Sequence, residues 1–468
     1  MKRHFPVWRR AVVFANSPCL RAVLAGVGLL IGSPAWPHEE GLHSERETEA
    51  RSDSHGPREA HEIRDPVARD GSGKDSSETR SKSDDGRSGS GRGSESEERE
   101  GGDRNASVDP ANRPGAERIN IERDAAGRER RPGEILMVGR PEAVAEVRAA
   151  GYRVVAERPL AAFGEAVARI RVGLGESVEQ AVPRIQALAL DASVAPNHVY
   201  RPSQDGPSGA IGRPVATIAN ASAALVGVID AGADPAWGTL THAIVRTQGF
   251  AAGGYAPRTH GTVVAEIASA GGASLAVADV FGTDEENRLV ASGDAIASAI
   301  DWLVAGSVRV VNISIEGPEN LVLAHVIQRA IARDVVIVAA AGNGGPVAPP
   351  AYPAAYPGVI AVTAVDEQGQ VYRRANRGDY IAFAARGVHI ESRYGATAPQ
   401  TLSGTSFAAP VVAAAIAGKM GASPHVSAQE ALAALRSEAR DLGVPGWDPI
   451  YGWGQIGAPS SSRSPHLP

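Results

Sequence analysis

Between residues 225 and 365 the chain repeats one arrangement, a short apolar run followed by a helical segment. Apolar runs fall at 225–229, 276–281, 308–315, 335–341 and 359–365. Helical patterning separates them at 260–270, 292–305 and 321–333, with Ile296, Ile300 and Leu303 on one face of the second. A strand that is apolar on both sides needs cover on both faces. Alternation with helices supplies that cover, so the pattern predicts a parallel sheet with helices on both faces, an α/β fold. In such sheets chemistry collects outside the carboxyl ends of the strands. The residues just past those runs are therefore the ones to inspect.

A second, smaller pattern precedes this one. Strands at 134–138, 153–155, 166–172 and 194–200 interleave with helices at 141–150 and 177–190, the latter marked by Val178, Ala181, Val182, Ile185 and Leu188. The order strand-helix-strand-strand-helix-strand predicts a small ferredoxin-like α+β domain over 131–200. A Gly/Pro/Ser-rich linker at 201–214 joins it to the larger domain, 215–458, and a tail follows at 459–468.

The N-terminal region contributes no core. Residues 1–35 have the three parts of a secretory signal: the positive charges Lys2, Arg3, Arg9, Arg10 and Arg21, an apolar stretch at 22–31, and the small residues Ser33 and Ala35 about Pro34. That stretch is about half the ~20 residues a membrane span needs. A cleaved signal, with no stable membrane insertion afterwards, is the reading. Residues 36–130 are rich in Ser, Gly, Arg, Glu and Asp, a composition that cannot offset chain entropy and predicts a disordered arm. His38, His43, His55 and His61 lie there without the spacing of a metal site. The one cysteine, Cys19, falls within the signal, so the mature chain has no disulfide. A net charge of −6 with interspersed signs points to no nucleic-acid partner. With only Lys2, Lys74, Lys82 and Lys419 as lysines, the composition suits a GC-rich bacterial genome, and the periplasm or exterior as destination.

Four residues stand at the expected sheet edge. Ser406 lies in Leu402-Ser403-Gly404-Thr405-Ser406-Phe407-Ala408-Ala409-Pro410, where a polar turn enters a small-residue apolar helix. A hydroxyl at a helix N-terminus sits among free N–H groups that can stabilise an oxyanion, which makes Ser406 a candidate nucleophile. Asp230 follows the 225–229 run, and by itself reads equally as a turn or capping residue. His260 opens His260-Gly261-Thr262 at the start of an apolar helix, where a lone histidine is more often part of the core. Asn343, in Ala341-Gly342-Asn343-Gly344, follows the 335–341 run, and its amide is either a turn feature or a donor to a developing oxyanion, a role worth ~3–4 kcal/mol. Taken together, the chain order Asp, His, Asn, Ser is that of subtilisin-type hydrolases.

These segments resemble the signatures of subtilisin-like serine proteases, over about residues 225–454. The resemblance implies a subtilisin-like catalytic domain hydrolysing peptide bonds, with Ser406 as nucleophile, His260 as general base and then acid, and Asp230 orienting His260. Asn343 and the Ser406 backbone N–H would form the oxyanion hole. The 131–200 unit is similar to the family's inhibitory propeptide, which chaperones folding and plugs the cleft. This implies a self-processing zymogen cut within 201–214. Expected partners are peptide substrates and the chain's own propeptide, with a monomeric state. Ser314-Ile315-Glu316 stands where the family has Ser-Leu-Gly lining substrate pockets S1 and S4, and Gly342 belongs to the same set. Glu316 replaces a glycine. Its carboxylate is expected either to narrow S1 or favour basic residues, or to face solvent. Val263 stands where a second histidine is usual, and the short 269–275 segment lacks a carboxylate or amide to bind calcium. No metal or cofactor is expected. The reading from another class is a non-enzymatic binding or scaffold protein that keeps the fold.

Overall fold

The computed structural model describes residues 118–203, 205–208, 225–423 and 425–457. The expected signal, the expected arm through residue 117, most of the linker and the tail lie outside the described residues.

The apolar runs pair as their composition requires. Eight strands form one wholly parallel sheet in the order Gln455–Ile456, Ile381–Arg386, Ile360–Val365, Val336–Ala340, Val310–Ile313, Leu225–Asp230, Ser274–Asp279 and Ile244–Gly249. One face packs on the helices Gly293–Ala305 and Leu321–Ile331 through Ile296, Ile300, Val326 and Ile327. The other packs on Thr259–Ser269 and Thr405–Gly421 through Val264, Phe407, Val412 and Ile416. The edge strands escaped the sequence reading because they are short, or polar like Ile244–Gly249.

Two of the expected strands break, and both breaks sit at the sheet's carboxyl edge. The 308–315 run leaves the parallel sheet at Ser314, and Ile315–Glu316 pairs instead with Pro202 and Arg201. The 276–281 run ends in the sheet at Asp279, and Phe281–Thr283 opens a hairpin with Leu289–Ser292. In each case a polar residue in an apolar run marks the exit, because its side chain is committed elsewhere. Ser314 bonds the backbone of the Thr405–Gly421 helix, and Asp279 takes the N–H groups of Ala256 and Phe281.

The smaller domain is the ferredoxin-like unit, with antiparallel strand order Ser193–Pro202, Glu129–Gly139, Glu165–Arg171, Arg153–Leu160. It starts earlier than residue 131. Glu122–Arg123 pairs with the start of the Glu129–Gly139 strand, and the buried Arg130 bonds both Glu122 and Glu179, which draws this stretch of the supposed arm into the fold.

The period of two along Glu129–Gly139 explains how the two domains share surface. Ile135 and Met137 face the domain's own helices, Pro141–Ala149 and Val178–Leu188. Leu136 and Val138, with Leu160, Phe163 and Val167, join the core that holds Ile296 and Leu323. Each large apolar side chain so buried contributes about 1.5–3 kcal/mol relative to exposure. Strand pairing extends the contact, since Val199 and Tyr200 oppose Ser292 and Ala291.

Asn320 fastens the contact. Its Oδ1 caps the Leu321–Ile331 helix by accepting from the N–H groups of Val322 and Leu323. Its Nδ2 donates to the Pro196 carbonyl at 2.9 Å and to His198 Nδ1 at 3.3 Å. His198 must be neutral to accept there. Burial pushes its pKa down to about 4, and Arg128 and Arg130 act in the same direction against Asp124. A histidine whose folded pKa lies below its unfolded value of 6.5 loses stability as pH falls, because the unfolded chain takes a proton the folded one refuses. Acidification from pH 7 to 5 should therefore lower the unfolding free energy of the intact Ser406→Ala chain by ~2 kcal/mol through this group. Urea midpoints at pH 7, 6 and 5 check this. The acid slope should be shallower in a His198→Gln variant of the same chain.

Candidate active site

Asp230 is the last residue of the central Leu225–Asp230 strand, so its carboxylate emerges at the carboxyl edge. The Ala231 N–H donates to Oδ1 at 2.6 Å and fixes the rotamer. His260 occupies the first turn of the Thr259–Ser269 helix. Its Nδ1 lies 2.6 Å from Asp230 Oδ1 and, since a carboxylate only accepts, Nδ1 carries the proton. Nε2 lies 3.0 Å from Ser406 Oγ. All three residues are buried, and the imidazole leans on the Phe407 ring at 5.4 Å between centroids. Gly261 permits this approach, because a Cβ there would lie 2.0 Å from the Ala231 carbonyl oxygen.

Ser406 lies in the first turn of a helix that contains Pro410. Proline has no N–H to return to the carbonyl four residues earlier, which is that of Ser406. Ser314 fills the vacancy, its Oγ donating to that carbonyl at 2.9 Å while accepting from Asn312 Nδ2 at 2.9 Å. Ser314 thus anchors the candidate nucleophile's backbone, a function its place in the substrate-lining set did not suggest.

Asn343 follows the Val336–Ala340 strand, on a backbone turned by Gly342 at φ +105°. Its Oδ1 accepts from the Thr405 N–H at 3.2 Å and from Thr405 Oγ1 at 3.1 Å. The opposite amide atom, Nδ2, is buried without a hydrogen-bond partner among the described residues. An unfilled donor in a buried site costs about 1–3 kcal/mol unless something arrives to accept from it. Thr405, not singled out from the sequence, also receives the Gly342 N–H at 3.2 Å, so one hydroxyl ties the turn to the helix.

The segment following the small domain runs through this site. Pro202 and Arg201 pair antiparallel with Ile315 and Glu316. The Ser203 N–H donates to the Ser314 carbonyl at 3.3 Å, and the Ser203 carbonyl accepts the Ser406 N–H at 3.2 Å. Beyond it, Asp205–Ser208 pairs with Gln400–Ser403, Asp205 opposite Ser403. The residues before and after position 204 therefore pair with different strands, Ile315–Glu316 and Gln400–Ser403. Glu316 is turned into the site, its Oε2 accepting the Asn343 N–H at 2.7 Å and the Ser203 hydroxyl at 3.1 Å. Ser203 itself carried no sequence signal beyond being a small polar residue after Pro202. Its importance comes from register with a strand more than a hundred residues away.

Behind Asp230, Asp279 occupies the same register on the next strand. Burial pushes its carboxyl up to about 6, opposed by Arg258 and the N–H groups of Ala256 and Phe281, while the Asp230 charge adds to the rise. Among the described residues no group of three His, Cys, Asp or Glu is placed to hold a metal ion.

The Subtilase family model matches residues 222–454. Subtilisin Savinase from Lederbergia lenta is 31% identical over 212 residues, covering 44% of this chain and 77% of that protein. The minor extracellular protease Epr from Bacillus subtilis is 35% identical over 168 residues, and subtilisin DY from Bacillus licheniformis 35% identical over 173. The matches span 26% of Epr and 62% of subtilisin DY, less than two thirds of either. Among solved structures, fervidolysin from Fervidobacterium pennivorans, a keratinolytic enzyme related to subtilisin, superposes with a TM-score of 0.58 at 23% identity. That match covers 73% of this chain and 62% of fervidolysin, and it supports the fold.

Because Gly261 meets backbone rather than a flexible side chain, a Gly261→Ala variant cannot relieve the clash locally. It should lose about 1–3 kcal/mol of stability in urea unfolding, as overpacked cores do. An unchanged midpoint would mean that the helix is free to move away from Asp230.

Proposed function

The chain belongs to the subtilase family, and on that premise we propose that it is a serine endopeptidase, made as a self-processing zymogen and exported from a bacterial cell. The observation that carries the proposal is the continuous hydrogen-bonded chain from Asp230 through His260 to Ser406 Oγ. In this reading His260 Nε2 takes the Ser406 proton as Oγ attacks a peptide carbonyl. Asp230 holds the imidazole by its Nδ1–H and offsets the positive charge that develops. The oxygen of the tetrahedral intermediate receives the Ser406 N–H and the unpartnered Asn343 Nδ2. His260 then returns its proton to the leaving amine as the C–N bond breaks. Water, deprotonated by the same ring, releases the acyl group and restores the serine.

The same geometry supports latency as part of this reading. The small domain shares a core with the Gly293–Ala305 and Leu321–Ile331 helices, and its outgoing strand lies along Ser406. No other substrate can occupy that cleft until the connection is cut. Export would use the segment 1–35. No helix among the described residues is long and apolar enough to cross a membrane.

Intact mass after expression tests the proposal. The wild-type chain should appear as two fragments cut within 201–214, and the Ser406→Ala chain should stay whole. An Asn343→Ala chain should process ~10²–10³-fold more slowly, the effect of removing one oxyanion donor. A whole wild type, or a cleaved Ser406→Ala chain, would favour a non-enzymatic role for this fold.

A further inference from the structure

We propose that Glu316 makes this site select a serine at the residue whose carbonyl is attacked, P1, and that the first bond cut is Ser203–Gln204. The inference rests on the endopeptidase reading and adds to it the bond and the side chain selected. Its starting point is the pair of backbone contacts that Ser203 makes. Its N–H is held by the Ser314 carbonyl and its carbonyl by the Ser406 N–H. The residues before it pair with Ile315 and Glu316, and Asp205 beyond it pairs opposite Ser403. Attack by Ser406 Oγ on the Ser203 carbonyl carbon breaks the bond to Gln204. The Ser406 proton passes through His260 to the Gln204 amine, and water later frees the Ser203 carboxylate.

The Ser203 side chain, fully buried, has two polar neighbours, Glu316 Oε2 at 3.1 Å and Thr405 Oγ1 at 2.9 Å. Glu316 Oε2 is fixed in place by the Asn343 N–H at 2.7 Å, so it cannot swing away without releasing the backbone beside the oxyanion donor. An ionised carboxylate only accepts, so it rewards a P1 side chain that donates. An apolar P1 residue would desolvate it without return. Crowding around Glu316 argues against the alternative of a long basic P1 residue. A Cβ placed on Gly342 would lie 2.9 Å from Glu316 Oε2, 2.8 Å from Ala351 Cβ and 2.7 Å from Asn376 Nδ2. Glu316 Oε2 thus lies packed against Gly342 and 3.1 Å from the Ser203 hydroxyl, so a lysine or leucine side chain would have to displace it where a short hydroxyl meets it. Of the expectations for Glu316, narrowing is the one this geometry favours, with a hydroxyl donor rather than a cation as the preferred guest.

The test uses the processed enzyme and fluorogenic octapeptides of the sequence Tyr-Arg-Pro-X-Gln-Asp-Gly-Pro, with X as Ser, Ala, Leu or Lys. The wild type should show kcat/KM for Ser at least ~10-fold above Ala, the scale of one charge-assisted hydrogen bond, and ~100-fold above Leu and Lys. Glu316→Gly should bring Leu up at least tenfold relative to Ser. Glu316→Gln, which keeps the size and loses the charge, should lower the Ser-to-Ala ratio while Leu stays poor. N-terminal sequencing of the mature chain should begin at Gln204. A wild type that prefers Leu or Lys, a profile unchanged in both variants, or a mature chain beginning elsewhere overturns this inference while leaving the endopeptidase reading intact. A chain that neither processes nor cuts any of the peptides overturns the endopeptidase reading, and this inference with it.

Discussion

The Thr405–Gly421 helix is apolar on all sides, and nearly every residue from Thr405 to Met420 is buried. Such a helix has no stable place except inside the molecule. The site depends on that constraint. Packed against the parallel sheet, the helix points its N-terminus at the carboxyl edge, where Asp230 and Asn343 also emerge from their strands. Pro410 then leaves the Ser406 carbonyl without a helical partner, and Ser314 supplies one. Burial sets the position of the serine to within the packing of the core. Hydrogen bonds to Ser314, Ser203 and His260 refine it.

The same edge explains why the small domain sits where it does. Its sheet has two apolar faces and helices on only one. The uncovered face needs a partner, and the paired helices Gly293–Ala305 and Leu321–Ile331 present one beside the cleft. Strand pairing to Ile315–Glu316 and Leu289–Ser292 then fixes register, and register decides which carbonyl meets the Ser406 N–H. Asn320 links this docking to helix capping, so the contact cannot be loosened at His198 without disturbing the start of the Leu321–Ile331 helix.

Much of this was legible in the sequence because its signals are local. Continuous apolar strands announce a sheet covered on both sides, and the strand-helix order of the small domain names its topology. Asp230, His260, Asn343 and Ser406 each stand at a strand or helix end that patterning could locate. What escaped depends on contacts between distant segments. Ser203 looks like any residue of a polar linker until its pairing with Ile315 and Glu316 is known. The exit of the chain at Ser314 depends on a proline nearly a hundred residues later. Asp279 could have been suspected by the logic that found Asp230, an acid at the end of an apolar run, yet nothing local tells a buried structural carboxylate from one that orients a base. The direction of the Glu316 side chain was open for the same reason, since it is set by the Asn343 N–H.

Burial and hydrogen bonding at this edge are proposed to turn Ser406 into a nucleophile. Reaction of the processed chain with a fluorophosphonate probe, followed by peptide mapping, measures this most directly. One phosphonyl group per chain is expected, located on Ser406, with labelling lost in His260→Ala. An unlabelled Ser406 in the processed chain, or labelling that persists at the same rate without His260, would contradict it.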